Sequence, residues 1–306
     1  SNSTRSSHNM ASIKAWIKAA RLRTLPLATT CVLIGGALGL KENPESSLVV
    51  LCLAAFVVIK LQTLANFAND YGDFMKGTDG ENRPDRALAS GEITPKEMKA
   101  KLIFNSIVIL IAGCATVYLS FHETGINWKA CGLVLLGICS IIAAFKYTMG
   151  KSAYGYRGLG DLFVLLFFGY VGVLGIAFLL THTFQTIWLL PATFSGLMAV
   201  SVLNLNNMRD HEGDKASGKN TLVVKMGFEK AKQYHLFLLL TAWACMIFFL
   251  RDWHGFIWYI LIALVCSKHI KVVWDTKNPQ SLDPELKKVA LMAFVTGMFM
   301  LMSVTF

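Results

Sequence analysis

The chain has 306 residues, of which 54% are hydrophobic and only 16% are charged, and its formal net charge at pH 7 is +10. Soluble domains carry about 25% charged residues, so these values exclude an ordinary soluble globular protein. The positive charge does not indicate nucleic-acid binding, because no basic segment interrupts the apolar sequence for long enough to fold as a separate domain.

The first part of the chain is more polar than the rest. Residues 1–10 are rich in serine, and we expect them to be a mobile tail or a remnant of expression. Residues 11–23 (ASIKAWIKAARLR) are predicted to form an interfacial helix, because Ile13 and Trp16 fall on one face and Lys14 falls on the other. A simple extension of the first membrane helix explains the same pattern equally well.

Long apolar segments follow, and two of them, 102–121 and 162–180, contain no charged residue. Each of these two matches the ~20 residues that a helix needs to cross a bilayer. The predicted membrane helices lie at 25–40, 48–69, 102–121, 130–147, 162–180, 186–206, 234–250, 256–274 and 289–306. No low-complexity linker divides them. We therefore expect an all-α integral membrane protein with nine transmembrane helices, folded as one domain over residues 1–306.

Lysine and arginine are distributed unevenly between the two ends of these helices. The N-terminal stretch and the loops after the second, fourth, sixth and eighth helices hold 25 of the 29 basic residues. Basic loops stay on the cytoplasmic side of a membrane. The pattern predicts an inner (cytoplasmic) membrane protein whose N-terminus and long loops face the cytoplasm and whose C-terminus lies outside.

Carboxylates are concentrated in two of these basic loops and at the helix ends that lead into them. Eleven of the 19 acidic residues lie in 70–97 and 210–229. In both places an asparagine and two aspartates share one helical face. The two sets are Asn66, Asp70 and Asp73 in the second helix, and Asn206, Asp210 and Asp214 in the sixth.

Two facing rows of carboxylates repel each other unless a cation lies between them. Mg²⁺ prefers oxygen ligands and typically joins one or two carboxylates to the phosphates of a substrate. The pattern therefore predicts a magnesium–diphosphate site at the membrane surface. Nearby basic residues are candidates for the remaining phosphate oxygens. They are Lys76, Lys151, Arg157, Arg209 and Lys219. The alternative, that these cations are solvated loop charges, stays open.

Three stretches resemble the UbiA superfamily of intramembrane prenyltransferases. They are NDYGDFMKGTDGENRPDRALASGEIT from residue 69, YGYRGLGDLFVLLFFG from residue 154 and NNMRDHEGDKASGKNTLVVKMG from residue 206. Within that superfamily they are most similar to the branch that prenylates 1,4-dihydroxy-2-naphthoate in menaquinone synthesis. With the nine helices, the resemblance covers essentially the whole chain. It implies a UbiA-type bundle with cytoplasmic cap loops, a polyprenyl diphosphate donor, a naphthoate acceptor and Mg²⁺ as cofactor.

The resemblance also implies roles for individual residues. Metal ligands would be Asn66, Asp70, Asp73, Asp79, Asp210 and Asp214. Diphosphate contacts would be Asn66, Asn69, Lys76, Tyr147, Lys151, Arg157, Asn206, Arg209 and Lys219, where Tyr147 and Lys151 match the family's Tyr-x-x-x-Lys element. The catalytic set would be Asp70, Asp73, Asp210, Asp214 and Lys151, to which we add Asp161, a carboxylate outside both motifs. This chain departs from the family at the third aspartate of the first motif. Many members have that aspartate four residues after the second one, where this chain has Gly77, and Asp79 follows two residues later.

Two further residues are candidates for contact with the acceptor. Gln62 precedes Asn66 by one turn on the face that carries the first motif. Asp161 begins the fifth helix, where it is a candidate to orient or deprotonate the acceptor, although an aspartate there also interacts favourably with the helix dipole.

Two alternative functions stay open. A relative that uses 4-hydroxybenzoate as the acceptor would share the same motifs. A secondary transporter would also have many helices and intramembrane polar groups, but transporters place such groups near the bilayer midplane. Here the acidic clusters lie at one membrane face.

Overall fold

The computed structural model describes residues 11–77, 86–150, 152–251, 253 and 256–305. Within these ranges the chain is helical and has no strand, and nine helices are long and apolar enough to cross a membrane. The prediction of a multi-pass all-α membrane protein is confirmed. After the short α1 (Ile13–Ala20), the long helices are α2 (Leu25–Glu42), α3 (Leu48–Met75), α4 (Pro95–Phe121), α5 (Trp128–Lys146), α6 (Gly160–Thr181), α7 (Leu189–Ala216), α8 (Phe228–Leu250), α9 (Phe256–Asp275) and α10 (Asp283–Thr305).

Two helices, α3 and α7, continue well beyond their apolar segments. Each has 28 residues, which corresponds to about 42 Å at 1.5 Å per residue. Because the hydrocarbon core of a bilayer is only about 30 Å thick, one end of each helix must reach the membrane surface. Both aspartate motifs lie in these extensions, so they are helical where the hydropathy pattern predicts that the helices have already ended.

Local sequence signals set several helix boundaries. Thr94 begins α4 with a capping box, in which its side chain accepts a hydrogen bond from the amide of Glu97 and Glu97 accepts one from the amide of Thr94. Gly77 follows the end of α3 with a φ of +69°, a left-handed conformation that glycine adopts without strain. The family's third aspartate would therefore stand at a position that ends this helix. Asp79 lies outside the described residues.

Helices α2 and α7 form the centre of the bundle, since about two-thirds of each apolar segment is buried, against 39% or less in the others. Close approach depends on small residues. A side chain at Gly169 of α6 would come within 2.7 Å of the carbonyl oxygen of Ala192 in α7. One at Gly172 would come within 2.8 Å of Cys31 Sγ in α2. Glycines at such contacts are typical of membrane helix pairs, which gain their stability from backbone packing.

Helix α6 contains a segment that periodicity does not predict. Leu165–Leu174 is π-helical, with ordinary α-helix before and after it. Such segments are rare and often occur at functional sites. This one turns part of its surface toward the cavity described below.

The helix predicted within residues 11–23 is present over Ile13–Ala20. Ala15 and Ala19 are buried, whereas Ile13 is 79% exposed and Ile17 is 49% exposed. An exposed apolar face suits a position at the membrane surface, and this interfacial role stays a prediction. So does the single-domain organisation.

Candidate functional site

A cavity of about 540 Å³ lies between helices α2 to α7 and the beginning of α10. Most of its wall is aliphatic or aromatic, but one end is polar. The polar lining residues at this end include Arg21, Thr24, Gln62, Asn66, Asn69, Asp73, Arg86, Tyr147, Asn206, Asn207, Lys219, Asp283 and Lys287. Both motif-bearing helices contribute to this end: α3 through Asn66, Asn69 and Asp73, and α7 through Asn206 and Asn207.

Only some of the predicted site residues line this cavity. Seven of them line it: Gln62, Asn66, Asn69, Asp73, Tyr147, Asn206 and Lys219. The described lining does not include Lys76, Asp70, Arg157, Asp161, Arg209, Asp210 or Asp214. Lys151 and Asp79 lie outside the described residues.

The first aspartate motif is buried and neutralised by an arginine. Asp70 and Asp73 are 1% and 4% exposed. Arg86 Nη1 lies 3.8 Å from Asp70 Oδ1, and Arg86 Nη2 lies 3.6 Å from Asp73 Oδ2. The Tyr156 hydroxyl also donates a hydrogen bond of 2.6 Å to Asp73 Oδ1. Buried carboxylates require such compensation.

Arg86 and Tyr156 were not among the predicted site residues. Both fall inside the stretches that carry the family resemblance, which is the signal that could have identified them. Helical periodicity could not identify them, because neither residue lies on the helix that carries the first motif. Tyr156 is 83 positions from Asp73, and Arg86 follows Asp73 by 13 positions.

Asn66 and Gln62 are bound to the segment that joins α1 to α2. Asn66 Nδ2 donates to the carbonyl oxygen of Ala20 at 2.8 Å and to Thr24 Oγ1 at 3.0 Å. Gln62 Nε2 donates to Asn66 Oδ1 at 3.3 Å and to Thr24 Oγ1 at 3.1 Å. These contacts fix the side chains of Asn66 and Gln62 at the polar end of the cavity. The metal-ligand role of Asn66 stays a prediction.

The second motif is organised by Arg209. Its Nε and Nη2 donate to the two carboxylate oxygens of Asp210 at 2.8 and 2.9 Å. Nη2 also donates to Asn206 Oδ1 at 2.8 Å, and Nη1 pairs with Asp283 at the start of α10. Arg209 therefore compensates the carboxylate of Asp210 and connects α7 to α10. The predicted contact of Arg209 with phosphate stays a prediction.

Two lysines lie beside the ring of Tyr156. Lys76 Nζ is 3.9 Å from the ring centroid and Lys219 Nζ is 5.3 Å from it. Partial burial lowers the pKa of Lys76 from its usual value, and the neighbouring charge of Lys219 acts in the same direction, although Asp73 opposes both. Two cations held this close to each other form a favourable position for an anion.

Two other predicted residues have structural partners. Asp161 Oδ2 accepts a hydrogen bond of 2.9 Å from the hydroxyl of Tyr234, which joins α6 to α8. Arg157 is exposed, and its carbonyl oxygen accepts a hydrogen bond of 2.8 Å from Lys225 Nζ. The acceptor role of Asp161 and the phosphate role of Arg157 stay predictions.

The polar end offers oxygen ligands to a metal ion. In the described part of the chain, no three His, Cys, Asp or Glu side chains are close enough together to hold a metal by themselves. The oxygen-bearing side chains that line this end are the Asp73 and Asp283 carboxylates, which also pair with arginines, and the amides of Asn69, Asn206 and Asn207. A hard cation that completes its coordination with water and substrate phosphates suits such a set.

Gly72 lies where the first motif meets the segment after α5. A Cβ atom at this position would come within 2.5 Å of Thr148 Oγ1 and 3.0 Å of the Thr148 backbone carbon. Gly72→Ala should therefore displace residues 147–148 and lower turnover about 10- to 100-fold, since small misplacements of a site are costly. Steady-state kinetics would measure this loss. Gly132→Ala, with open space around the new methyl group, should keep full turnover, and equal activity of the two variants would contradict the prediction.

The sequence is similar to that of characterised proteins over nearly its full length. A model described as the UbiA prenyltransferase family matches residues 28–301. The 1,4-dihydroxy-2-naphthoate octaprenyltransferase of Escherichia coli K12 is 38% identical over 297 residues, which are 95% of each chain. The Haemophilus influenzae protein of the same name is 39% identical over 92% of this chain and 93% of its own.

Solved structures show the same fold. A UbiA homolog from Archaeoglobus fulgidus, bound to GPP and Mg²⁺, matches with a TM-score of 0.62 at 18% identity over 94% of this chain and 99% of its own. A UbiA homolog from Aeropyrum pernix K1 matches with a TM-score of 0.65 at 16% identity over 93% and 98%. The predicted UbiA-type helical bundle is confirmed.

Proposed function

The chain belongs to the UbiA prenyltransferase family, and we propose that it transfers a polyprenyl group from an isoprenyl diphosphate to 1,4-dihydroxy-2-naphthoate. The acceptor loses CO₂, and the product is demethylmenaquinone. The similarity to two bacterial 1,4-dihydroxy-2-naphthoate octaprenyltransferases supports this choice of acceptor. The observation that carries the proposal is a cavity whose polar end is lined by Asp73 of the first motif and by Asn206 and Asn207 at the second, and whose remaining wall is largely apolar.

The polar end is suited to hold the diphosphate. Lys219 and Arg86 line the cavity there, and Lys76 and Lys219 both lie beside the Tyr156 ring. These cations would stabilise the charge that develops on the leaving diphosphate. Magnesium bound by Asp73 and the neighbouring amide oxygens would supply further positive charge to the same leaving group. Mg²⁺ is therefore the proposed cofactor.

The apolar part of the cavity is suited to the isoprenoid chain. Val117 and Ile109 of α4, Leu133 of α5 and Ile176 of α6 contribute to its wall. A surface of this kind excludes water, which would otherwise react with the allylic cation before the aromatic acceptor does. A secondary transporter fits less well, because the charged lining residues belong to helix ends at one side of the bundle and not to the midplane.

Loss of the carboxylate tests the identity of the acceptor. Attack at the carbon that bears the carboxyl group obliges CO₂ to leave so that aromaticity is restored. With carboxyl-labelled 1,4-dihydroxy-2-naphthoate, we expect purified enzyme to release label as gas in equal amounts with diphosphate. A prenylated product that retained the label, or turnover of 4-hydroxybenzoate alone, would move the chain to the hydroxybenzoate branch.

We also propose that the N-terminus and the motif-bearing helix ends face the cytoplasm. The distribution of 25 basic residues on one side supports this orientation. Single cysteines at positions 44 and 217, introduced after removal of the seven native cysteines, test it. In sealed inverted vesicles an impermeant maleimide should label position 217 and not position 44. The opposite pattern would reverse the proposed orientation.

A further inference from the structure

One wall of the cavity is formed by four aromatic side chains, which we call the aromatic wall: Tyr147, Tyr154, Phe163 and Phe167. The rings of Tyr154 and Phe163 are stacked, with centroids 3.8 Å apart and planes 16° apart. Phe163 and Phe167 continue the series at 6.3 Å and 17°. Tyr147 stands at 87° to Tyr154, with centroids 5.2 Å apart. Three nearly parallel rings with one edge-on ring therefore border the cavity.

The local fold holds these rings in place. Phe163 and Phe167 are four residues apart at the beginning of α6, so they project from the same side of the helix. The Tyr154 hydroxyl donates a hydrogen bond of 2.6 Å to the carbonyl oxygen of Ala143 in α5. Gly155 lets the turn approach α5 closely, since a Cβ atom there would lie 2.7 Å from the carbonyl oxygen of Tyr147.

The aromatic wall begins beside the polar end of the cavity. Tyr154 and Tyr156 belong to one helical turn, Tyr154–Arg157. Tyr156 bonds to Asp73 and lies beneath Lys76 and Lys219. The wall then continues along α6 away from these groups. A molecule lying on the wall would therefore be next to the first carbon of an isoprenoid whose diphosphate is held at the polar end.

On the basis of the proposed function, we infer that the aromatic wall is the acceptor subsite, where the bicyclic ring of the naphthoate lies against Phe163 and Phe167 while Tyr154 supports Phe163 from its other face. A flat aromatic ring gains most from parallel, offset contact with other rings. A flexible isoprenoid chain has no such requirement and is accommodated by the aliphatic wall of α4 and α5. Two fused rings also cover more of the wall than a single benzoate ring, which favours the larger acceptor.

Tyr147 provides a polar contact at the edge of this subsite. Its hydroxyl has no hydrogen-bond partner among the described residues and is next to Gly160, where a Cβ atom would lie 3.1 Å from the hydroxyl oxygen. Burial, and secondly the charge of Asp161, raise the pKa of Tyr147 above its usual value. The hydroxyl therefore stays protonated and can donate a hydrogen bond to an oxygen of the acceptor. Tyr147 is a positioning residue in this arrangement.

Kinetics with the two substrates varied separately test the assignment. With farnesyl diphosphate as donor, Phe163→Leu and Phe167→Leu should each raise the KM for the naphthoate about two- to tenfold, which is the range expected from losing one aromatic contact. The KM for the diphosphate should change less than twofold. Phe163→Tyr should keep the wild-type KM, because it keeps the ring. Phe237→Leu, which removes an exposed ring on α8, is the matched control.

Binding measured without turnover separates this inference from the proposed function. Fluorescence titration with 1-hydroxy-2-naphthoate should show weaker binding to both leucine variants than to the wild-type protein, even if the wild type proved to prenylate another acceptor. Failure of the wild type to prenylate the naphthoate would overturn the proposed function. Unchanged naphthoate binding in both leucine variants, or a rise only in the KM for the diphosphate, would overturn the aromatic wall as the acceptor subsite.

Discussion

Asp73→Asn should lower kcat by about 10²- to 10³-fold, which is the effect of removing one group that stabilises transition-state charge. Asp73 lines the polar end of the cavity and is held there by Tyr156 and Arg86. Asparagine has nearly the same shape and still accepts the hydrogen bond from Tyr156, so the change removes mainly the negative charge that would bind magnesium. Chromatography of the prenylated product measures the loss.

The control for this variant is Asp275→Asn. Asp275 is an exposed carboxylate at the end of α9, outside the described lining of the cavity. Asp275→Asn makes the same chemical change as Asp73→Asn, also at the end of a helix, but away from the cavity. Its activity should therefore stay within twofold of wild type. A fully active Asp73→Asn enzyme, or an equal loss in both variants, would contradict the diphosphate site at this end of the cavity.

Arg86→Met should destabilise the folded protein by about 3 to 5 kcal/mol, because removal of one partner leaves buried carboxylates without compensation. The Arg86 side chain is 11% exposed, and those of Asp70 and Asp73 are 2% and 5% exposed. The apparent melting temperature in detergent should fall by roughly 5 to 10 °C. To measure the change, the detergent-solubilised protein is heated at a series of temperatures, and the fraction that stays soluble is quantified by size-exclusion chromatography.

A double variant distinguishes charge compensation from simple packing. Asp70→Asn combined with Arg86→Met should be more stable than Arg86→Met alone, since one uncompensated charge is then absent. Lys99→Met removes an exposed cation near the start of α4 and should leave the melting temperature unchanged. Equal melting temperatures for the single and double variants would show that the arginine acts through packing and not through its charge.

The sequence by itself determined the architecture of the bundle. A helix needs about 20 apolar residues to cross a bilayer, and every described segment that meets this condition forms a membrane helix. The capping box at Thr94 also determined the start of α4, because all its hydrogen bonds are local. Helical spacing also indicated the two motifs, to which the family resemblance added Tyr147. Seven of the predicted residues line one cavity: Gln62, Asn66, Asn69, Asp73, Tyr147, Asn206 and Lys219.

Only the tertiary structure decided how the charges are compensated. The sequence pattern did not indicate that Arg209 pairs with Asp210 and Asp283 in the folded protein, and its contact with phosphate stays a prediction. The pattern also counted Arg86 only as a basic loop residue, whereas Arg86 lies beside both aspartates of the first motif. Hydropathy ended the second and sixth apolar segments at residues 69 and 206, whereas α3 and α7 continue to Met75 and Ala216 and hold the motif aspartates in helix, as the spacing of the motifs predicts.

The aromatic wall likewise depends on tertiary structure. Its members come from the end of α5, an irregular turn and α6, and only the packing of these three segments stacks their rings. Helical periodicity relates residues three or four positions apart on one element. It carries no information about which side chains from different elements meet. Local hydrogen bonds and apolar length therefore fix the helices, while partners and cavity walls are set by packing between helices.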